Sequence, residues 1–541
     1  MEELKKQLHA HVKGEIHLEE KVLDYYSTDG SIFKLTPKIV IFPKDEQDIS
    51  TVIKLLSNSA YKGKLVPLTA RGKGTDQAGG ALGTGVVLVM PSHHYHLLKV
   101  SPTHVRVQPG AIYGDLQEVL NQHGRYLPSY PSSIAYSTIG GAVANNACGE
   151  HTVKYGSTRD FTESLQIVLS NGQIIVTKRL SAIELSKKKK LRTFEGEIYR
   201  KVDELVTNNA HIIHGAPPHV TKNSAGYDLW DIKRSDGSFD LTPLIVGSQG
   251  TLAVVSEILL RTLALPAEKS LIRVNFDDLK QAGAAAEELR KLNPSALELV
   301  DYHLLEFLKQ TNPGRISEFV GKHMPKIMFL VEFDDKSKWT RNQKTKKAIA
   351  LLKKMSQEVE EVTDPINEQR LWRIRRSAAA IIWKSKTTAK ALPIIEDAAV
   401  PVGKFVQFLE SAYELFDREH VKFAVWGHAG DANFHIQPFF DLAKVSDKKK
   451  LFKIVDEFYT MVIGMGGTTA GEHNDGRLRA PFLPKLYGQE VYSLFQQVKT
   501  IFDPQGILNP GVKIDVNMED NKLILRNEYS MSHLGADGME T

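Results

Sequence analysis

From Pro37 to about Thr262 the chain alternates short β-branched runs with glycine, and after Pro266 that rhythm gives way to longer strand and helix units. Two differently built domains follow from this change, not one repeating fold. In the first part strands are expected at 39–42, 65–68, 85–90, 104–107, 165–169, 174–177 and 254–260, with helices at 45–57 and 114–122. In the second, strands are expected at 270–276, 327–333 and 422–426, and helices at 278–292, 338–356, 367–385 and 402–417. We therefore expect an α+β chain divided into domains at 1–266 and 267–465. A glycine- and proline-marked segment at 466–518 follows, built around a helix at 485–502, and then a mobile polar tail at 519–541.

A chain of 541 residues exceeds what one hydrophobic core supports, which agrees with that division. Its 42% hydrophobic and 25% charged residues are ordinary for a globular protein. The first residues mix Glu, Lys and His without an apolar stretch, so no signal peptide is expected, and no run is long enough to span a bilayer. A cytoplasmic location is expected, with peripheral attachment to the inner face of the membrane left open. Cys148 is the only cysteine. It excludes an internal disulfide and a self-contained cysteine-ligated iron–sulfur cluster, so any electron acceptor beyond a bound organic cofactor is a separate molecule. The net charge of +5 mildly favours anionic substrates, but the cations are spread along the chain and give no nucleic-acid footprint. The run Lys187 to Lys190 reads as a solvated helix end.

Chemistry is concentrated in glycine-rich segments. The stretch from Val66 to Thr75 carries a strand into the turn Arg71-Gly72-Lys73-Gly74-Thr75, followed by Gly79, and a turn of this kind lets backbone N–H groups approach phosphate oxygens. It lacks the third glycine and the following helix of a dinucleotide-binding fingerprint, and it lacks Walker spacing. Three further segments follow: Pro109-Gly110; Thr138 with Gly140, Gly141, Asn145 and Gly149; and Gly247 with Gly250, Thr251 and Leu252. In order and spacing these four resemble the FAD-binding domain of the vanillyl-alcohol-oxidase superfamily, the PCMH-type fold. The resemblance implies FAD, with its pyrophosphate at Arg71 to Thr75 and the later segments lining the rest. Lys73 stands where a flavin-linking histidine can sit, so the FAD is expected to be non-covalent. Gln249 replaces a common glutamate, and Cys148 is expected to be a small buried side chain.

A second constellation lies downstream. His428 and His435 flank a glycine-containing turn between two apolar runs, which reads as a hairpin holding both rings side by side. Such a pair alone is more often structural than ligating. Gly471-Glu472-His473 adds a carboxylate and a third ring, and two histidines with one carboxylate suit a divalent metal with open positions, zinc or manganese. From Pro266 to Lys513 the chain resembles the C-terminal domain of FAD-linked D-lactate, glycolate and D-2-hydroxyglutarate dehydrogenases, an α/β cap with an antiparallel sheet. The resemblance implies His428, His435 and Glu472 as metal ligands, His473 as general base, Asn509 near the flavin and Arg375 on the substrate carboxylate. Arg477 and Arg479 are further candidates for binding an anion.

The implied reaction removes the hydroxyl proton of a D-2-hydroxy acid to an imidazole while C2 delivers hydride to flavin N5, giving the 2-oxo acid. Ala379 and Ile395 replace the threonine and lysine of relatives specific for D-2-hydroxyglutarate, which favours a D-lactate or glycolate type of substrate. Ala432 and Asn474 replace common glycines, which is expected to narrow the site or weaken its hold on metal. The electron acceptor is expected to be a quinone, an iron–sulfur protein or an electron-transfer flavoprotein. Two other readings are a flavin-binding electron-relay subunit of a larger complex and a non-redox flavoenzyme of the same fold.

Overall fold

The computed structural model describes residues 2–61, 63, 65–311, 324–376 and 388–531. The N-terminal part holds two main sheets beside the two-stranded pairing of Arg125–Tyr126 with Leu263–Ala264. The first orders its strands Glu15–His17, Ile39–Phe42, Val86–Val89 and Leu68–Arg71, the last three parallel to one another. Leu68–Arg71 begins three residues later than expected because Pro67 has no N–H to give to a ladder, and its carbonyl instead accepts from Val86 N. The second sheet is antiparallel, in the order Leu97–Val100, His104–Val107, Val254–Arg261, Thr162–Val168 and Ile174–Lys178. Its core also takes in two long helices, Phe194–Asn208, which the sequence pattern did not reveal, and Leu483–Phe502 from far down the chain.

Beyond Pro266 an antiparallel sheet takes over, running Val359–Val362, Ser270–Phe276, Ile327–Phe333, Ala296–Asp301, Phe423–His428, Asn433–Phe440 and Lys390–Ala391. Its side chains alternate between two apolar clusters. Leu297, Leu299, Val425, Phe434 and Ile436 face helices Leu279–Arg290, Phe405–Arg418 and Val445–Gly464. Ala296, Val300, Ala424 and Trp426 face helices Tyr302–Thr311 and Pro365–Arg376. The period of two therefore puts Glu298, His428 and His435 on this second face, where they meet chain arriving from elsewhere.

That chain is the segment after Gly466. Thr468 pairs with Ala399, Gly471 N donates to Asp397 O, and the helix Leu483–Phe502 then enters the N-terminal core. Leu508 pairs with Leu68 and Asn509 N donates to Leu68 O, so the C-terminal segment closes onto the glycine turn. The expectation of a mobile tail after 518 is corrected as far as 531. Met518–Leu523 is a helix, Arg526 is buried against the carbonyls of Phe33 and Asp29, and the Tyr529 hydroxyl donates to Gly30 O at 2.8 Å. Among the described residues no helix is long and apolar enough to cross a membrane.

Candidate active site

The strand Leu68–Arg71 ends in the glycine turn, and residues 70–76 form one wall of a cleft. Pro109, Thr138, Gly140, Gly141 and Asn145 form a second wall, and Ser248, Gln249 and Gly250 a third. Gly74 (φ +73°) is required because a Cβ there would lie 2.3 Å from the Arg71 guanidinium. At Gly250 (φ +70°) a Cβ would meet nothing nearer than Ala70 at 3.9 Å and would project into free space. With so little side chain, the lining at Gly72, Gly74, Gly141 and Gly250 is backbone, which suits the close approach of a pyrophosphate. These walls fit FAD.

Of the expected cofactor residues, Arg71, Gly72, Lys73, Gly74, Thr75, Pro109, Thr138, Gly140, Gly141, Asn145 and Gly250 line the cleft. The Arg71 guanidinium faces away from it. It donates to Thr28 O at 2.7 Å and to Tyr26 O and Ala81 O, so its charge braces the N-terminal stretch, and Lys73 is left exposed on the rim. Gly79, Gly110, Gly149, Gly247, Thr251, Leu252 and Asn509 lie behind that lining. They pack the walls. A Cβ at Gly149 would stand 2.3 Å from Tyr130 O, Leu252 is core, and Asn509 Nδ2 ties Gly80 O to Gln249 O. Gln249 bridges two segments, its Nε2 donating to Asn145 Oδ1 and its Oε1 accepting from Gly476 N.

On the sheet face described above, His428 and His435 come together with Glu472. The Nε2 atoms of the two rings lie 3.4 Å apart, and Glu472 Oε1 is 3.2 Å from the first and 3.1 Å from the second. Ligands held 2.0–2.1 Å from a tetrahedral zinc stand about 3.3 Å from one another. Each ring also has its Nδ1 against an acceptor, His428 against Glu298 Oε1 at 2.8 Å and His435 against Glu396 O at 2.6 Å. That places a proton on Nδ1 and leaves the Nε2 lone pairs converging with a carboxylate oxygen on one point. Five buried carboxylates surround the point, Glu298, Glu396, Asp397, Asp431 and Glu472, against three buried cations, Lys222, Arg375 and Arg479.

Glu472 is held from behind. Its Oε2 accepts from Lys222 Nζ at 3.1 Å and from Cys148 Sγ at 3.4 Å. Burial works against the Glu472 anion, but Lys222 and His428 outweigh it and hold the group well below the usual carboxylate range. The Cys148 thiol is pushed up by burial, which makes it an inert neighbour. His473 stacks on His435 at 5.2 Å, with its Nδ1 on Glu396 and its Nε2 3.5 Å from Glu472 Oε1. Burial opposes its charged form, but Glu396, Asp397 and Glu472 push its pKa up to about 10. A divalent charge in the triangle acts in the opposite sense.

Three expectations about arginines need revision. Arg375 is buried with its guanidinium 2.6 Å from Glu298 Oε2, so it backs the carboxylate that orients His428, while its Nε has no hydrogen-bond partner among the described residues. Arg477 donates to the carbonyls of Leu82, Pro510 and Gly511, and Arg479 pairs with Glu396. Ala432 (φ 46°) and Asn474 (φ 64°) both occupy the left-handed region, which explains why glycine suits these positions. The Asn474 side chain also donates to Asn145 O and Gly247 O, adding contacts between the two domains that glycine cannot make. Ile395 is fully buried and apolar, and Ala379 lies outside the described residues. Sequence reasoning missed Lys222 and Glu298. Lys222 has no periodic signal around it, whereas Glu298 was detectable as the charge inside the apolar residues 296–300.

Comparison with known proteins agrees with this architecture. Residues 37–178 match the FAD binding domain family, and residues 265–512 match the C-terminal domain of FAD linked oxidases. A D-2-hydroxyglutarate dehydrogenase of Pantoea ananatis is 28% identical over 90% of this chain, which spans only 48% of that protein's length. Glycolate oxidase subunit GlcD of Bacillus subtilis is 28% identical over 90% of this chain and 91% of its own. The solved structure of 4-ethylphenol oxidase from Gulosibacter chungangensis superposes with a TM-score of 0.70 at 14% identity, covering 96% of this chain and 98% of that one, and shares the fold. With both domain families matched in order around a glycine-walled cleft, the chain carries an FAD binding domain followed by the C-terminal domain of FAD linked oxidases, on a PCMH-type fold.

Proposed function

We propose that this protein is an FAD-dependent dehydrogenase that oxidises a D-2-hydroxy acid of the D-lactate or glycolate type to its 2-oxo acid. The observation that carries the reading is the convergence of His428 Nε2, His435 Nε2 and Glu472 Oε1 within 3.4 Å of one another, beside a third ring whose Nε2 lies 3.5 Å from the same carboxylate oxygen. Bound FAD supplies the hydride acceptor, and a zinc or manganese ion in the triangle supplies a Lewis acid for the hydroxyl and carboxylate oxygens of the substrate. His473 Nε2 takes the hydroxyl proton. Lys222 keeps Glu472 ionised and aimed, and Glu298, backed by Arg375, fixes the His428 ring. Ile395, apolar and fully buried, offers no charge to a second carboxylate, which supports a short substrate.

Electrons leave for an external acceptor, a quinone, an iron–sulfur protein or an electron-transfer flavoprotein. The test is anaerobic mixing of the FAD-loaded protein with paired D- and L-2-hydroxy acids while the flavin absorbance is followed. Bleaching by D-lactate or glycolate, with L-lactate silent, is the expected result. Bleaching by L-acids alone overturns the stereochemical assignment, and no bleaching by any 2-hydroxy acid overturns the activity.

A further inference from the structure

We infer that the adjacent acids Glu396 and Asp397 act as one positioning bracket for the site, Glu396 setting the rings of His435 and His473 and Asp397 setting the backbone that carries Glu472. The inference rests on the reading of the site above and extends it to residues that touch neither substrate nor flavin.

The geometry divides the labour between the two side chains. Glu396 Oε2 lies 2.7 Å from His473 Nδ1 and 3.2 Å from His435 Nδ1, and Glu396 Oε1 lies 2.9 Å from His473 Nδ1. The Glu396 carbonyl is a second acceptor for His435 Nδ1, at 2.6 Å. One residue thus selects the Nδ1–H form of both rings, turning one Nε2 to the ligand triangle and the other to the place where a proton is taken. Arg479, fully buried, pairs with Glu396 Oε1 and fixes the carboxylate itself, while the Tyr459 hydroxyl accepts from Arg479 Nε at 3.0 Å.

Asp397 does for the main chain what Glu396 does for the rings. Its Oδ2 accepts from His473 N at 2.7 Å and from Glu472 N at 3.1 Å, its Oδ1 accepts from Glu472 N at 3.1 Å, and its carbonyl accepts from Gly471 N at 2.8 Å. Gly471, Glu472 and His473 are therefore anchored at three successive amides to one residue of the sheet domain. Asn433 Nδ2 reaches the same carboxylate at 3.3 Å, which joins the bracket to the histidine hairpin. A bracket placed like this loses metal affinity and base orientation together when its ring-holding member is neutralised.

The test uses FAD-loaded wild-type protein and the Glu396→Gln variant. Their affinity for Zn²⁺ and Mn²⁺ is measured by competition with a chelator, and their turnover at saturating metal is compared. The amide of the variant offers one acceptor and two donors where two acceptors stood, so a loss of about 10–100-fold in metal affinity is expected. At saturating metal kcat is still expected to fall by at least tenfold with KM little changed, because the His473 ring stays misaimed. Wild-type metal affinity in the variant overturns the ring-setting role, and wild-type kcat at saturating metal overturns the role at His473, while the ligand assignment stands in both cases. A wild-type protein that binds neither ion overturns the site reading and the bracket with it. A second measurement needs no variant: ¹⁵N-histidine NMR of the zinc-loaded wild-type protein is expected to show hydrogen-bonded Nδ1 protons at His435 and His473, and an Nε2–H form of His435 contradicts the inference.

Discussion

Replacing Lys222 by methionine removes the one positive charge that faces Glu472 Oε2 and leaves a side chain of similar length. Lys222 has no exposed side-chain surface, Glu472 is 4% exposed, and their charged atoms lie 3.1 Å apart. At an effective dielectric constant of 20 that separation corresponds to about 5 kcal/mol of attraction, and removing one partner of a buried pair typically costs about 3–5 kcal/mol. Without metal the variant must bury an uncompensated carboxylate, so the whole of that loss is expected. With a divalent ion on Oε1 the carboxylate is compensated from its other side, and what remains is the donor lost to Gly149 O and Asn433 Oδ1 and the pairing with Asp431 at 3.8 Å, about 1–3 kcal/mol. Calorimetric scans of both proteins, with chelator and with metal in excess, measure the difference. The variant should melt about 10 °C lower in chelator and only a few degrees lower with metal, using about 2–4 °C per kcal/mol for a unit of 150–250 residues. A loss that is the same in both conditions, or a loss below about 1 kcal/mol in chelator, refutes the claim that Oε1 faces a cation.

Three other outcomes are expected. Glu150 is paired with Arg376 across the domains, and although burial opposes its charge, the Arg376 guanidinium holds its carboxyl down at about 2. Its folded pKa is below the unfolded value, so its contribution is full above about pH 4.5 and disappears as the pH falls through about 2. Because Arg376 is 41% exposed, Glu150→Gln should cost only about 1–2 kcal/mol at pH 7 in urea titrations and nothing near pH 2, and a pH-independent cost contradicts the assignment. Ala432→Gly should stabilise the chain by up to about 1 kcal/mol, the left-handed strain of alanine exceeding the extra chain entropy of glycine, and a lower melting temperature would count against that backbone geometry. Gly141→Val should leave a folded protein with little bound FAD by absorbance, since the added methyl groups enter the cleft; full flavin content excludes this wall from the cofactor site.

The sequence exposed the parts of this molecule whose signals are local. The strands Ile39–Phe42, His104–Val107, Ser270–Phe276 and Ile327–Phe333 lie where alternation and β-branching placed them. The hairpin spacing brought out His428 and His435, and the resemblance to FAD-linked dehydrogenases added Glu472 to them as a candidate ligand set. What stayed hidden depends on partners distant in sequence. Glu298 is meaningful only through its register opposite His428, Lys222 only through a contact 250 residues away, and the glycines only through which segment each one faces. Gly250 and Gly247 are equivalent as letters, yet one lines the cleft and the other packs near Asn474 and Arg159. Arg375 shows the converse. Its motif suggested a ligand for substrate, and only the neighbouring strand supplies Glu298 to hold it.

The most direct measurement is flavin bleaching by D-lactate or glycolate in stopped flow, with metal content determined on the same samples, for the wild-type protein, its chelated form, the chelated form after metal is restored, and a His435→Ala variant. The account predicts one divalent ion per chain and rapid bleaching in the wild type, loss of both on chelation, recovery of both on reloading, and neither in the variant despite normal FAD content. Bleaching at the wild-type rate in the chelated protein or in the variant would contradict it.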